Sequence, residues 1–192
     1  MSAAAGAVFL DRDGLLNDVV LRDGVVSSPR SLAELSVPAA APAAIRRLAD
    51  AGFTLVVVTN QPDLSRGLLT DSTLVELHAT LAEIYGLHAF FVCPHQRDVD
   101  CSCRKPAPGL LLQAAAELGL PLDGTSWAIG DRWVDVVAGR AAGVRTALLE
   151  RPWSWQPASG IAPPPDAVAD VADADLDALV DAVLGLRSLP AT

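Results

Sequence analysis

The sequence has few basic residues: 14 lysines and arginines stand against 23 aspartates and glutamates, which gives 192 residues a net charge of −9. Lysine occurs once, as Lys105. Proteins that bind nucleic acid or anionic membrane surfaces need clustered lysine and arginine. The charge balance therefore argues against nucleic acid and membranes as partners.

Long hydrophobic runs are also lacking. Although 51% of the residues are hydrophobic, charged residues interrupt the apolar runs at the length of a strand. Residues 1–10 have no basic region of the kind that begins a signal peptide, and they lead directly into Asp11. We therefore expect a cytoplasmic, monomeric protein with one domain over residues 1–192 and a core over about residues 7–186.

Cysteine is scarce and clustered: Cys93, Cys101 and Cys103 fall within eleven residues, with His95 among them. An odd number of clustered cysteines does not suit a disulfide framework. Three thiolates and one imidazole match the tetrahedral ligands of a closed, structural Zn²⁺ site. The alternative is a set of unlinked thiols beside a surface histidine.

Short β-branched runs alternate with Ala/Leu-rich segments of helical period, which predicts βαβ units around a mostly parallel sheet. Strands are predicted at 7–10, 54–59, 89–93, 126–129, 145–149 and 166–169. Helices are predicted at 42–51, 71–85, 108–118, 134–142 and 176–186. Residues 19–40 and 152–165 lack a regular pattern, and the tryptophans of the second segment are expected to cover the core or a subunit contact.

Polar side chains lie at the carboxyl ends of three of these strands: Asp11 and Asp13 follow the first, Thr59 ends the second, and Asp131 follows the fourth. The carboxyl ends of parallel strands share one crevice. A carboxylate there can attack a phosphate ester, and a second carboxyl can protonate the leaving group. Carboxylates from two strands also offer the oxygen ligands of Mg²⁺. The pattern predicts phosphoryl transfer, although Asp and Gly after a strand also suit an ordinary turn.

Lys105, the single lysine of an acidic chain, offers the positive charge that a transferring phosphoryl group needs. Arg104 beside it has the planar guanidinium that binds a second anionic group. Thr59 and Asn60 add hydrogen-bond donors at the end of a strand. His78 and His88 have no comparable neighbours in the sequence, so we predict structural roles for both.

With these residues in place, the chain resembles the haloacid-dehalogenase-like phosphatases. The matching motifs are Asp11-Arg12-Asp13-Gly14, Thr59-Asn60-Gln61, Arg104-Lys105-Pro106 and Gly130-Asp131 followed by Asp135. The resemblance implies an α/β, Rossmann-like three-layer fold with a zinc-binding loop and no large cap domain. It also implies that Asp11 is the nucleophile and Asp13 the acid/base, that Thr59 and Lys105 bind the phosphoryl group, and that Mg²⁺ is held by Asp11, Asp131 and the backbone carbonyl of Asp13.

Within that family, the cysteine-rich loop is similar to that of the D-glycero-D-manno-heptose 1,7-bisphosphate phosphatases and their relatives, the histidinol-phosphate phosphatases. The resemblance implies a small phosphorylated metabolite as substrate: the heptose bisphosphate, losing its 7-phosphate, or alternatively histidinol phosphate or another small sugar phosphate. The implied substrate contacts are Asn17, Thr59, Asn60, Gln61, Arg66, Arg104, Lys105 and Arg132. An inactive, zinc-stabilised binding protein is the alternative of another class, and the cost of burying several carboxylates without a ligand argues against it.

Overall fold

The computed structural model describes residues 6–87, 89–96, 98–158 and 160–186, so His88 and the ends of the predicted domain lie outside it. The strands are β1 (Ala7–Leu10), β2 (Val20–Arg22), β3 (Val25–Ser27), β4 (Thr54–Asn60), β5 (Phe90–Cys93), β6 (Trp127–Gly130), β7 (Arg145–Leu149) and β8 (Val171–Asp173). The helices are α1 (Ala41–Asp50), α2 (Asp71–Tyr85), α3 (Gly109–Leu118), α4 (Trp133–Ala142) and α5 (Leu176–Leu186), with a 3-10 turn at Leu32–Glu34.

Six strands form the central sheet, in the order β5-β4-β1-β6-β7-β8, and every neighbouring pair is parallel. Strand β1 lies near the middle, where Val8 aligns with Leu55 of β4 and with Trp127 of β6. All four residues of β1 are fully buried. The residues that follow β1 therefore emerge at the centre of the carboxyl edge of the sheet, next to those that follow β4 and β6.

Helices cover both faces of the sheet. Side chains alternate along a strand, and β1 accordingly sends Val8 and Leu10 to one core and Phe9 to the other. The first core is closed by helices α1, α2 and α5, and the second by α3 and α4. The predicted three-layer α/β fold with a mostly parallel sheet is confirmed.

The predicted strand at 166–169 is wrong. Residues 164–167 instead make a turn in which the Ala167 amide donates to the Pro164 carbonyl, and Arg140 donates to the carbonyls of Asp166 and Val168. The strand is β8, a few residues later, where it pairs with β7. The prolines before the strand favour the turn because they cannot donate to a ladder.

A hairpin of β2 and β3 lies in the segment 19–40, for which no regular structure was predicted. Its turn is Asp23-Gly24, with φ of 50° and 76°. Two positive φ angles are typical of a tight hairpin turn, for which Asp-Gly is a preferred sequence. The dipeptide flanked by valines and leucine was therefore the available signal.

No inserted domain separates the strand-end motifs in the described ranges, as the resemblance implied. Between β4 and α2, for example, only a short irregular segment intervenes. None of the helices in the described part of the chain combines the length and the apolar content needed to cross a membrane.

Candidate active site

One cavity of about 770 Å³ opens at the carboxyl edge of the sheet. Its walls include the predicted residues from every strand-end motif: Asp11, Asp13, Thr59, Lys105 and Asp131. The hairpin of β2 and β3 and residues 156–158 add the outer walls. The structure thus brings together residues that the sequence keeps far apart.

Lys105 is 4% exposed and its ammonium group is surrounded by acceptors. Nζ lies 2.8 Å from Asp11 Oδ1 and 2.6 Å from Asp135 Oδ1, and it donates to the Val58 carbonyl at 2.8 Å. Burial by itself lowers the pKa of a lysine, but the two carboxylates raise the pKa of Lys105 above its usual value. The lysine therefore keeps its charge inside the protein.

Three carboxylates converge beside this lysine. Asp11, Asp131 and Asp135 each offer an oxygen, and these oxygens lie within 4.8 Å of one another. Burial raises the pKa of Asp11 to about 6, and it raises the pKa of Asp131 well above its usual value. Repulsion between the carboxylates raises both pKa values further. One lysine does not balance three buried carboxylates, so the cluster calls for a further cation.

A divalent cation fits this cluster. Asp131 Oδ1 is buried and has no hydrogen-bond partner, although a buried acceptor is normally satisfied. Oxygen ligands from one or two carboxylates, with water and phosphate oxygens beside them, are what Mg²⁺ prefers. Asp11 and Asp131 are therefore suited to hold Mg²⁺, as the sequence predicted, and Asp135 is close enough to support them.

The Asp13 carboxylate is held by four side chains. Oδ1 accepts hydrogen bonds from Arg12 and from Asn17, the second at 2.9 Å, and Oδ2 accepts from Ser28 at 2.8 Å and from Gln61 at 2.7 Å. Burial raises the pKa of Asp13, but the Arg12 charge and these hydrogen bonds outweigh burial and leave the pKa below its usual value. The resting carboxylate is ionised and fixed in one orientation.

Asn17 and Gln61 require a correction. Both were predicted to contact substrate, but both are fully buried and neither lines the cavity. Asn17 donates to Asp13, and Gln61 donates to Asp13 and to Thr59 Oγ1. Their position behind Asp13 and Thr59 makes them supports of these two residues.

Asn60 lines the cavity, but its amide group is engaged with the protein. Nδ2 donates to the Lys105 carbonyl and Oδ1 accepts from the Lys105 amide, both at 3.1 Å. This reciprocal pair ties the end of β4 to the segment that carries the lysine. Asn60 thereby helps to position Lys105 over Asp11.

Three arginines line the cavity as predicted: Arg66, Arg104 and Arg132. Arg66 forms an ion pair with Asp63 at 3.3 Å, and Arg104 Nη1 donates to the His95 carbonyl at 3.0 Å. Three arginines in the cavity wall favour an anionic ligand. The bond from Arg104 also couples this wall to the cysteine-rich loop.

That loop brings the four predicted zinc ligands together. Cys93 Sγ lies 3.6 Å from His95 Nδ1 and 3.8 Å from Cys101 Sγ, while Cys103 Sγ lies 3.2 Å from His95 Nδ1 and 3.7 Å from Cys101 Sγ. Metal–ligand bonds of about 2.0–2.3 Å place tetrahedral ligands about 3.3–3.8 Å apart. Burial raises the pKa of the Cys93 thiol to about 12, so a metal would have to displace its proton. The geometry fits Zn²⁺.

Two partners of the site were not found from the sequence. The Trp153 indole donates to Asp131 Oδ2 at 2.5 Å, although the tryptophans of its segment were expected to cover the core or a subunit contact. His78 was predicted to have a structural role, and its Nε2 lies 3.2 Å from Nη1 of Arg12, the residue between Asp11 and Asp13. Neither contact has a local sequence signal, because each joins segments that are distant in the chain.

Comparisons with known proteins agree with this geometry. A HAD-hydrolase-like family model matches residues 102–174. The D-glycero-beta-D-manno-heptose-1,7-bisphosphate 7-phosphatase of Yersinia pestis is 33% identical over 173 residues, which cover 79% of this chain and 83% of that protein. The enzyme of the same name from Bordetella bronchiseptica is 37% identical over 148 residues, covering 74% and 79%. The chain belongs to the haloacid-dehalogenase-like (HAD-like) phosphatases.

A solved HAD-like structure supports the fold over most of the chain. The crystal structure of D,D-heptose 1,7-bisphosphate phosphatase from B. bronchiseptica, complexed with magnesium and phosphate, matches with a TM-score of 0.74 and 31% identity. The match covers 93% of this chain and 98% of that one. The HAD-like resemblance inferred from the motifs is confirmed.

Proposed function

We propose that the protein is a Mg²⁺-dependent phosphomonoesterase that removes the 7-phosphate of D-glycero-D-manno-heptose 1,7-bisphosphate through an aspartyl-phosphate. The observation that carries this proposal is the buried group of Asp11, Lys105 and Asp131 at one cavity. The names of the relatives from Y. pestis and B. bronchiseptica support the substrate.

Asp11 acts as the nucleophile in the first step. A carboxylate oxygen of Asp11 bonds to phosphorus as the bond from phosphorus to the sugar oxygen breaks, which leaves the phosphoryl group on Asp11. The Arg12 backbone amide donates to Asp11 Oδ1 at 2.8 Å, and Lys105 contacts the same oxygen. These contacts orient the carboxylate, and Lys105 places a positive charge beside the transferring phosphoryl group.

Asp13 transfers protons in both steps. Its acid form protonates the departing sugar oxygen, and its carboxylate then takes a proton from the water that attacks the aspartyl-phosphate and releases inorganic phosphate. Surrounding donors lower the pKa of Asp13 in the free protein. A bound phosphate dianion has the opposite effect, because a like charge nearby disfavours ionisation.

Two metal ions complete the proposal. Asp11, Asp131 and the Asp13 backbone carbonyl would hold Mg²⁺, which neutralises charge on the phosphoryl oxygens. Cys93, His95, Cys101 and Cys103 would hold a structural Zn²⁺. Lys105 follows the last of these cysteines closely, so an ordered zinc loop also orders the lysine.

The second phosphate of the substrate is recognised by the cavity arginines. Arg104 and Arg132 lie in the cavity wall with Lys105, and Arg66 lines the same cavity. A guanidinium binds a phosphate through two parallel hydrogen bonds. A bisphosphate would use both the site at Asp11 and these arginines, whereas a monophosphate such as histidinol phosphate would leave the arginines without an anion.

The test is phosphate release with Mg²⁺ and with EDTA, from heptose 1,7-bisphosphate, histidinol phosphate and a panel of sugar monophosphates. We expect a Mg²⁺-dependent preference for the bisphosphate of about a hundredfold in kcat/KM, because sites that hydrogen-bond a substrate group reject analogues that lack it. Asp11→Asn is the matched blank, since an amide cannot attack phosphorus.

Three outcomes would contradict the proposal. Turnover by Asp11→Asn above about a hundredth of wild type would remove Asp11 as the nucleophile. A preference for histidinol phosphate would favour the alternative substrate. Release from no ester would favour the inactive, zinc-stabilised binding protein.

We also propose that the protein works as a monomer in the cytoplasm, where a reducing environment would keep Cys93, Cys101 and Cys103 available for zinc. The acidic net charge argues against nucleic acid as the substrate. Light scattering after size exclusion would test the monomer, and a dimer mass would contradict it.

A further inference from the structure

Arg12 is a charged residue inside the protein. Its side chain is 1% exposed, and Nε and Nη2 donate to Asp13 Oδ1 at 3.1 and 3.0 Å. A buried guanidinium destabilises the fold unless its charge and its donors are paired. Asp13 supplies the charge partner, but it satisfies only one side of the guanidinium.

His78 satisfies the other side. Its Nε2 lies 3.2 Å from Arg12 Nη1. Arginine has donors only, so Nε2 is the acceptor and the imidazole is neutral with its proton on Nδ1. The ring is held in turn by Phe90, with centroids 4.4 Å apart and an angle of 18° between the ring planes.

We infer that His78 is a positioning residue that acts through Arg12 to hold the Asp13 carboxylate in place for proton transfer. The inference rests on the proposed function, in which Asp13 protonates the leaving group. Neither Arg12 nor His78 is among the residues that line the cavity, so neither contacts the substrate there. Their effect reaches the reaction only through Asp13.

The geometry explains why the contact between His78 and Arg12 matters although three other side chains also donate to Asp13. Asn17, Ser28 and Gln61 each donate once, whereas Arg12 donates to both oxygens and carries the neutralising charge. Without the acceptor on His78, Nη1 becomes a buried donor without a partner. The guanidinium would then turn toward another acceptor and draw the Asp13 carboxylate with it.

Two substitutions of His78 separate the hydrogen bond from the packing. His78→Phe keeps a ring that can stack on Phe90 and removes the acceptor. His78→Gln loses the ring but carries an amide oxygen at about the distance from the backbone at which histidine carries Nε2. A role in packing alone predicts that Phe is the better replacement, whereas positioning of Arg12 predicts that Gln is.

The readout is kcat/KM on two esters that differ in their leaving groups. The first ester is the sugar phosphate with the highest turnover. Its leaving group is an alkoxide, which needs a proton from Asp13. The second ester is p-nitrophenyl phosphate. Its leaving group is a stable phenolate, which needs little protonation. For His78→Phe we expect a loss of about tenfold in kcat on the sugar phosphate, with KM within about twofold, because a misplaced acid forfeits part of its catalytic effect. The kcat/KM for p-nitrophenyl phosphate includes only the steps up to the departure of the phenolate and not the later attack of water that Asp13 assists, so it should stay within about twofold of wild type. His78→Gln should restore kcat/KM on the sugar phosphate.

Equal losses on both esters, a change confined to KM, or a His78→Gln variant as slow as His78→Phe would overturn the inference. Should His78→Phe fail to fold, Phe90→Leu tests the same chain of contacts, since it removes the stacking partner and keeps the acceptor. For Phe90→Leu we again expect a larger loss on the sugar phosphate than on p-nitrophenyl phosphate. Equal losses would overturn the inference. Failure of the proposed function is distinguishable from failure of the inference about His78, because the wild-type protein would then release no phosphate with Mg²⁺.

Discussion

The Trp153 indole nitrogen lies 2.5 Å from Asp131 Oδ2, so a side chain of an irregular segment holds one oxygen of a buried carboxylate. Ser154 Oγ donates to the Asp131 carbonyl and reinforces the contact. Because Oδ2 is engaged with Trp153, Oδ1 is left as the buried oxygen without a hydrogen-bond partner. The contact with the indole thereby leaves Oδ1 available as a ligand for the proposed Mg²⁺.

Trp153→Phe is therefore expected to weaken Mg²⁺ binding. The loss of an outer contact to a metal ligand typically costs about tenfold in affinity, and we expect that loss here. Calorimetric titration of the protein with Mg²⁺ measures it directly. Trp155→Phe is the matched control, because Trp155 is 41% exposed. Equal affinities in wild type and Trp153→Phe would show that the indole does not orient the ligand.

Gly14 provides a second test of the same carboxylate. A Cβ at this position would lie 2.0 Å from Asp131 Oδ2, and φ is +89°. We expect Gly14→Ala to lower the free energy of unfolding by about 2–4 kcal/mol, through left-handed strain and overpacking together, and to weaken Mg²⁺ binding.

Gly24→Ala is the control for the strain alone, because Gly24 has a φ of +76° and no atom within 4 Å of the added Cβ. A loss of about 1 kcal/mol with unchanged Mg²⁺ affinity is expected for it. Urea unfolding and the same titration compare the two variants. Equal losses of stability and of Mg²⁺ affinity in the two variants would mean that contact with Asp131 is not the reason for a glycine at position 14.

Zinc is expected at one ion per chain in protein purified without chelator, measured by elemental analysis. Removal of the metal, or the substitution Cys103→Ala, should lower the thermal midpoint by at least about 10 °C, because metal binding contributes folding free energy. Phosphatase activity should fall as well, since Arg104 donates to the His95 carbonyl and Lys105 follows directly. Ser102→Ala, at an exposed neighbour, should change neither property. Zinc-free wild-type protein of full stability would refute the ligand assignment.

The pH dependence of the free energy of unfolding should report the half-buried imidazole of His78. Burial and the Arg12 charge lower the pKa of His78 from 6.5 to about 4. Between these two pH values the unfolded chain binds a proton that the folded protein does not bind, so stability is present above pH 6.5 and declines as the pH falls toward 4.

We expect wild type to lose about 1 kcal/mol more than His78→Gln between about pH 7.5 and about pH 5, after a reduction for the partial exposure of the ring. Urea unfolding of both proteins at the two pH values measures the difference. Parallel pH profiles would show that the histidine does not titrate differently on folding.

Much of the fold was predictable from local patterns. Helices α2 and α5 begin and end at the predicted residues, α3 and α4 differ by one residue at their starts, and α1 lies one residue earlier at both ends. The hairpin of β2 and β3 was not predicted, because its two strands of three residues are too short to show a periodic pattern. The strand at 166–169 was misplaced because alternation in a short apolar run does not show which residues the neighbouring strand will pair with.

Residue chemistry and spacing were sufficient to predict the α/β fold, the cavity residues Asp11, Lys105 and Asp131, and the zinc cluster. Each of these follows from local order: an apolar strand, a polar residue at its end, and ligands close together in the chain. The supports of the site depended on tertiary structure. Whether Asn17 faces substrate or Asp13, and whether His78 meets Arg12, depends on how a helix and a loop pack against the sheet. Neither contact leaves a periodic signal in the sequence, because the turn after β1 sets the direction of Asn17 and the packing of two distant segments brings His78 to Arg12.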